Sequence, residues 1–270
     1  MSRNGPIALL FHALFVIFVL GPILIVCAVA FTPLGYLSLP THGLSLRWFR
    51  AIGSNPEFVD AFWTSLWLGA LSASLAILFT VPAALAVARH RFPGREALVT
   101  FLQSPLMIPP AVLGIAFLRF FTEIGLGGTF LGLVLSHVII VMPFSLRLVV
   151  AASAGIDPQL EHAAISLGAS GWRSFRRIIL PLILPGVASG WVLAFITSFD
   201  EVTMTVFIAS PRTTTLPVRL FLYIQDNIDP LVAAVSAALI GLTFIAMLLL
   251  DRLYGLERLL VGRGRAEGNG

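Results

Sequence analysis

Residues 155–186 read GIDPQLEHAAISLGASGWRSFRRIILPLILPG, a polar stretch punctuated by glycine and proline between two long apolar runs. Asp157 followed by Pro158 marks a helix start. The carboxylate accepts from free N–H groups of the first turn, and proline suits a position whose own N–H has no partner. Leu160, Ala163, Ala164 and Leu167 then fall near one face at helical spacing, and the small alanines let another surface approach. Gly168 and Gly171 break that helix. Beyond them Trp172, Phe175 and Ile179 form a second apolar stripe, with Arg173, Arg176 and Arg177 pointing elsewhere. Pro181 and Pro185 end the second helix and open the next apolar run. Two short amphipathic helices joined by glycines fit either a knob that docks on another protein or a connector lying on lipid headgroups.

The rest of the chain says where this segment sits. Of 270 residues, 58% are hydrophobic and 11% charged. A soluble domain carries about 25% charged residues, so this chain cannot cover a water-facing surface. That excludes a soluble enzyme, a disordered chain and a disulfide scaffold. Crossing the hydrocarbon core takes about 20 apolar residues, and six runs qualify: 7–31, 60–88, 98–121, 129–151, 182–207 and 231–254. The first follows Arg3, but it is too long for a signal peptide and ends in no clear small-residue cleavage site, so it reads as a retained span. The expectation is an all-α integral membrane protein with six transmembrane helices.

All 17 basic residues are arginines, and they cluster between the apolar runs instead of forming one basic face, which argues against nucleic-acid binding. With the N-terminus inside, twelve fall on the cytoplasmic side: Arg3, Arg89, Arg91, Arg95, Arg147, Arg173, Arg176, Arg177, Arg252, Arg258, Arg263 and Arg265. Arg47, Arg50, Arg119, Arg212 and Arg219 fall outside. This bias places both termini in the cytoplasm. Residues 1–59 then form the first transmembrane helix and a periplasmic loop, with Trp48 and Phe49 suited to the membrane interface. Residues 60–254 form a five-helix core that includes the cytoplasmic loop 152–181, and 255–270 a cytoplasmic tail.

Few polar groups enter the apolar runs. Asp200 and Glu201 stand in the fifth, with Ser198, Thr203 and Thr205 nearby. On a helix, adjacent residues point about 100° apart, so one at most faces a given pathway squarely. A charge at membrane depth is costly and marks function. The two acids suit guidance of a cationic substrate, or else a structural hydrogen-bonded pair or a contact with a partner chain. Trp63, Trp67, Phe117 and Phe121 offer cation–π faces but read better as interfacial anchors. His137, beside Ser136 in the fourth run, reads as hydrogen-bonded to a backbone carbonyl. Pro105, Pro109 and Pro110 predict kinks in the third run, and Pro143 in the fourth. Cys27, the single cysteine, reads as apolar filler. The sequence contains no GxxxxGK[ST] phosphate loop, no HExxH or CxxC, and no GxSxG elbow. No catalytic residue, metal site or cofactor is therefore expected in this chain. An intramembrane enzyme would need converging groups, and adjacent acids suit opposed acid–base roles poorly.

Ala163 and Ala164, three residues, Gly168, nine residues, then Ile178, Leu180 and Pro181 resemble the EAA loop of ABC-importer permeases. In that family the loop is the coupling helix, seated in a cleft of the ATPase subunit. Aligned on Gly168, the family's glutamate position holds His162, and Glu161 stands one residue earlier. The likeness runs over roughly 60–250. FDEVTMTVFIASPRTTTLPVRLF at 199–221 and IDPLVAAVSAALI at 228–240 look like the PotC-like permease of spermidine/putrescine importers. The resemblance implies a permease fold of the MetI-like type in the bacterial inner membrane and transport of polyamines. It implies two ATP-binding subunits, a second homologous permease and a periplasmic substrate-binding protein as partners. Residues 161–181, with Glu161 and His162 at their start, would carry ATPase coupling, and Asp200 and Glu201 the substrate path. An importer of another small solute (an amino-acid derivative, a phosphonate or iron) is the runner-up. A stand-alone ion-coupled carrier would leave the coupling loop without a role.

Overall fold

The computed structural model describes residues 5–254. Arg3, Arg258, Arg263, Arg265 and the 255–270 tail lie outside the described residues. Among those described, the regular structure is helical throughout. The helices are α1 (Pro6–Val29), α2 (Arg47–Gly53), α3 (Pro56–Arg89), α4 (Arg95–Gln103), α5 (Pro110–Glu123), α6 (Phe130–Ala154), α7 (Gln159–Ser166), α8 (Gly171–Ser174), α9 (Leu180–Phe199), α10 (Thr205–Ile208), α11 (Leu216–Asp226) and α12 (Leu231–Tyr254). A 3₁₀ turn, Ser104–Met107, follows α4, and a π turn, Phe175–Ile179, joins α8 to α9.

Among the described residues, five stretches are long and apolar enough to cross a membrane: Ile7–Val29, Pro56–Arg89, Phe130–Ala154, Gly171–Phe199 and Leu231–Leu248. The third apolar run is not one straight helix. Arg95–Met107 and Pro110–Glu123 pass the same test only as a pair, bent by 102°. The cause is the Ile108–Pro109–Pro110 sequence. A proline pushes the residue before it out of the α region, and both Ile108 (ψ 131°) and Pro109 (ψ 132°) are extended. Pro181, by contrast, does not open a new helix, since Gly171–Phe199 runs as one span. A proline ring presses on the carbonyl four residues back, here Arg177, and the wider π turn at 175–179 gives it room.

The described residues divide into two compact units, one of 5–60 with 220–253 and the other centred on 61–219. In the first, α1 buries none of its apolar window. The indole N–H of Trp48 donates to the Leu34 carbonyl at 3.1 Å, Arg47 donates to the Pro33 carbonyl at 3.1 Å, and Phe31 and Phe49 pack at 5.0 Å between centroids. Trp48 is buried; it ties the loop after α1 to α2 and is not the interfacial anchor its sequence context suggests.

The second unit is built on α6 and α9. Small residues let the two helices approach, as in membrane bundles generally. A Cβ on Gly186 would sit 2.3 Å from the Cβ of Ala152, and one on Gly190 would sit 3.4 Å from Ser145. Helix α3 joins them, with Thr80 and Ser145 sharing a buried hydrogen bond of 3.0 Å. Leu68, Ala73 and Ala76 of α3 meet Leu133, Val138 and Val141 of α6, Ala194 of α9, and Met204 and Ile208 at α10.

Candidate functional site

The 155–186 segment forms where its punctuation places it. Asp157 Oδ1 accepts from the Gln159 N–H at 2.9 Å, opening α7. Gly168 closes it at φ +85°, a left-handed conformation that favours glycine. The Ala169 N–H donates back to the Ala164 carbonyl at 3.0 Å. Ser170 then caps α8 by accepting from the Arg173 N–H at 3.3 Å.

The expected apolar face of α7 is divided. Ala164 is buried, while Leu160, Ala163 and Leu167 are exposed, Leu167 at 89%. His162 is exposed as well. Glu161 points back into the chain and forms an ion pair with Arg89, the last residue of α3. The second stripe is divided too. Ile179 is buried, whereas Trp172 is 68% exposed and, with Phe175, walls an apolar groove of about 670 Å³ against Ile77, Val81 and Leu85. Ile178 and Leu180 are half-buried, and Pro181 is exposed.

Asp200 and Glu201 are not on a helix. Helix α9 ends at Phe199, so the 100° argument does not apply to them. The span Gly171–Phe199 holds 29 residues. At about 1.5 Å per residue it outruns a hydrocarbon core of about 30 Å, which brings the acids to its far end instead of its interior. A charge is far cheaper there than at the bilayer centre.

The two acids have different surroundings. Glu201 caps the short α10: its Oε1 accepts from the Met204 N–H at 2.8 Å, and its Oε2 from the Thr205 N–H at 2.8 Å and the Thr205 hydroxyl at 2.5 Å. Those bonds satisfy backbone donors that a broken helix leaves open. Asp200 is exposed, and among the described residues its carboxylate makes no hydrogen bond or ion pair. Helix α5 presses on the same turn, where a Cβ on Gly114 would meet the Met204 carbonyl at 2.9 Å and the Phe207 ring at 2.8 Å. From the other side His137, fully buried, reaches the hydroxyls of Ser198 at 2.8 Å and Thr205 at 3.0 Å. Its partners are therefore side chains 61 and 68 residues away, not the backbone carbonyl expected from the sequence. Trp63 and Trp67, read from the sequence as interfacial anchors, are exposed. The turn thus presents one uncommitted carboxylate beside a committed one.

Residues 76–256 match the family described as the binding-protein-dependent transport system inner membrane component. The chain is 32% identical over 232 residues to the spermidine/putrescine transport system permease protein PotC of Haemophilus influenzae, covering 86% of this chain and 90% of that one. It is 31% identical over 229 residues to PotC of Shigella flexneri, covering 85% and 84%. In fold it is similar to a chain of a bacterial ABC transporter involved in import of the acidic polysaccharide alginate, with TM-score 0.78 and 16% identity, over 94% of this chain and 99% of that one.

Proposed function

The chain belongs to the family of inner membrane components of binding-protein-dependent transport systems and is a permease subunit of an ABC importer, and from that premise we propose that its cargo is a polyamine such as putrescine or spermidine. The observation that carries the substrate reading is the likeness to spermidine/putrescine permeases along most of both chains. An exposed, uncommitted Asp200 suits an extended polycation, because a carboxylate with no partner in the protein is free to exchange water for a passing ammonium group.

In this reading the chain lies in a bacterial inner membrane with both termini in the cytoplasm. That parity requires the bent pair α4–α5 to complete one crossing. A second homologous permease stands beside it, two ATPase subunits sit below, and a periplasmic binding protein delivers substrate. No nucleic acid is a partner, and no catalytic residue, metal or cofactor resides in this chain. ATP binding draws the ATPases together, and α7 carries that motion upward. Leu160, His162, Ala163 and Leu167 form the exposed surface that enters the ATPase cleft. Glu161 stays with Arg89, so it anchors α7 to α3 and does not reach outward. Movement of α3 and α9 then opens the acidic turn to a loaded binding protein, and ATP hydrolysis resets it.

The test is ATP-driven uptake of radiolabelled putrescine and spermidine into vesicles carrying the complete transporter, for wild type and Asp200→Asn. Uptake by wild type and its loss in the variant, with the ATPase still co-purifying, is the expected outcome. If wild type moves neither polyamine while its ATPase responds to a binding protein loaded with another solute, the polyamine assignment fails.

A further inference from the structure

Ser198 lies one residue from the end of α9, and Thr205 opens α10, so the two bracket the turn that carries Asp200 and Glu201. One side chain from a third helix touches both. His137 of α6 sets its Nδ1 2.8 Å from the Ser198 Oγ and its Nε2 3.0 Å from the Thr205 Oγ1. All three side chains are buried, His137 and Thr205 fully.

The donor count fixes the direction of these bonds. Thr205 has one hydroxyl proton and donates it to Glu201 Oε2. Its oxygen can then only accept from His137. In the neutral ring Nε2 therefore carries the proton, Nδ1 accepts, and the Ser198 hydroxyl donates to it. The opposite tautomer would set the Thr205 oxygen against a carboxylate oxygen at 2.5 Å with no proton between them. A single directed chain results, from Ser198 to His137 to Thr205 to Glu201, and it ends on the carboxylate that also holds the Met204 and Thr205 N–H groups.

We propose that His137 is a positioning residue for transport: bonded to both ends of the 199–204 turn, it holds Glu201 to the protein and leaves Asp200 as the acid that meets the substrate. The chemistry explains why a histidine stands here. It is a rigid ring with an acceptor on one side and a donor on the other, at a separation that spans the two hydroxyls. An apolar side chain of similar size would leave the buried Ser198 and Thr205 hydroxyls short of a partner, and the turn would relax to satisfy them. The proposal rests on the reading of Asp200 as a pathway acid, and its test separates the two.

The experiment uses the complete transporter in vesicles, with Met204→Cys as reporter in a Cys27→Ser background. Met204 is fully buried beneath the turn, so alkylation by a membrane-impermeant maleimide reports whether the turn is held. Replacing His137 by Leu is expected to speed labelling by about tenfold, and His137→Gln, whose amide still donates toward Thr205, to restore most of the protection. In the same vesicles, without the reporter, His137→Leu is expected to raise the KM for polyamine uptake by about tenfold with a smaller change in Vmax. Unchanged labelling in His137→Leu overturns the proposal. Faster labelling with unchanged uptake shows a pinned turn that transport does not use and overturns the role in transport, while the Asp200 reading stands or falls separately on uptake by Asp200→Asn. Should His137→Leu fail to co-purify with the ATPase, Ser198→Ala cuts the Ser198–His137 link alone and Thr205→Val cuts the links of Thr205 to both His137 and Glu201, and unchanged labelling in both overturns it equally.

Discussion

The pair between Arg89 and Glu161 decides how α7 is joined to the membrane-spanning helices, and it predicts a charge-swap result. Arg89 ends α3, Glu161 stands in the first turn of α7, and their side chains are 13% and 32% exposed. The second guanidinium nitrogen of Arg89 is buried with no hydrogen-bond partner among the described residues, so losing Glu161 leaves a mostly buried cation with less compensation than before. An exposed ion pair contributes about 0–1 kcal/mol, whereas stripping one partner from a fully buried pair costs about 3–5 kcal/mol. With one side chain mostly buried and the other about a third exposed, about 1–2 kcal/mol is the reasonable figure, a factor of roughly 5–30. The assay is uptake per ATP hydrolysed, in vesicles with loaded binding protein. Arg89→Gln and Glu161→Gln should each lower this ratio by that factor, the double variant should lose no more than either alone, and Arg89→Glu combined with Glu161→Arg should recover much of it. The reasoning is refuted if Glu161→Gln releases the ATPase during purification while Arg89→Gln behaves as wild type. Glu161 would then belong to the ATPase contact, as the EAA resemblance implies for the glutamate position.

Asp200→Asn should abolish polyamine uptake without changing the thermal stability of the purified complex, whereas Glu201→Gln should lower its unfolding temperature, since charge-assisted bonds to Met204 and Thr205 contribute about 1.5–3 kcal/mol; equal effects of the two on stability would contradict the division of roles. Gly186→Val should prevent assembly, because even its Cβ would lie 2.3 Å from that of Ala152; normal yield of the complex would show that α6 and α9 are not in close contact. Gly168→Ala introduces strain alone, as its Cβ meets nothing within 4 Å while φ is +85°. A cost of about 1–2 kcal/mol should appear as faster amide hydrogen exchange over residues 163–169, and unchanged exchange would contradict the left-handed cap.

What the sequence made legible followed from composition and local chemistry. The apolar runs marked the spans, and Asp157–Pro158 and Gly168 bounded α7, because capping and left-handed glycine act within a few residues. Pro109 and Pro110 announced a disturbance in the third run, but a bend of 102° needs both residues before a proline to become extended, which composition alone does not reveal. The break after Phe199 was hidden for a different reason. Val202, Met204, Val206, Phe207 and Ile208 keep the stretch apolar, so hydropathy continues across a place where the helix has stopped. The available signal was Glu201 standing three and four residues before Met204 and Thr205, the spacing of a side chain that reaches forward to cap. His137 lay beyond any such signal. Its partners are 61 and 68 residues away, and no period links them. They meet because Gly186 and Gly190 let α9 lie directly on α6. That approach carries Ser198 to the ring, while Glu201, by capping α10, turns the chain so that Thr205 arrives on the ring's other side. The histidine therefore takes its role from two glycines and a glutamate that never touch it.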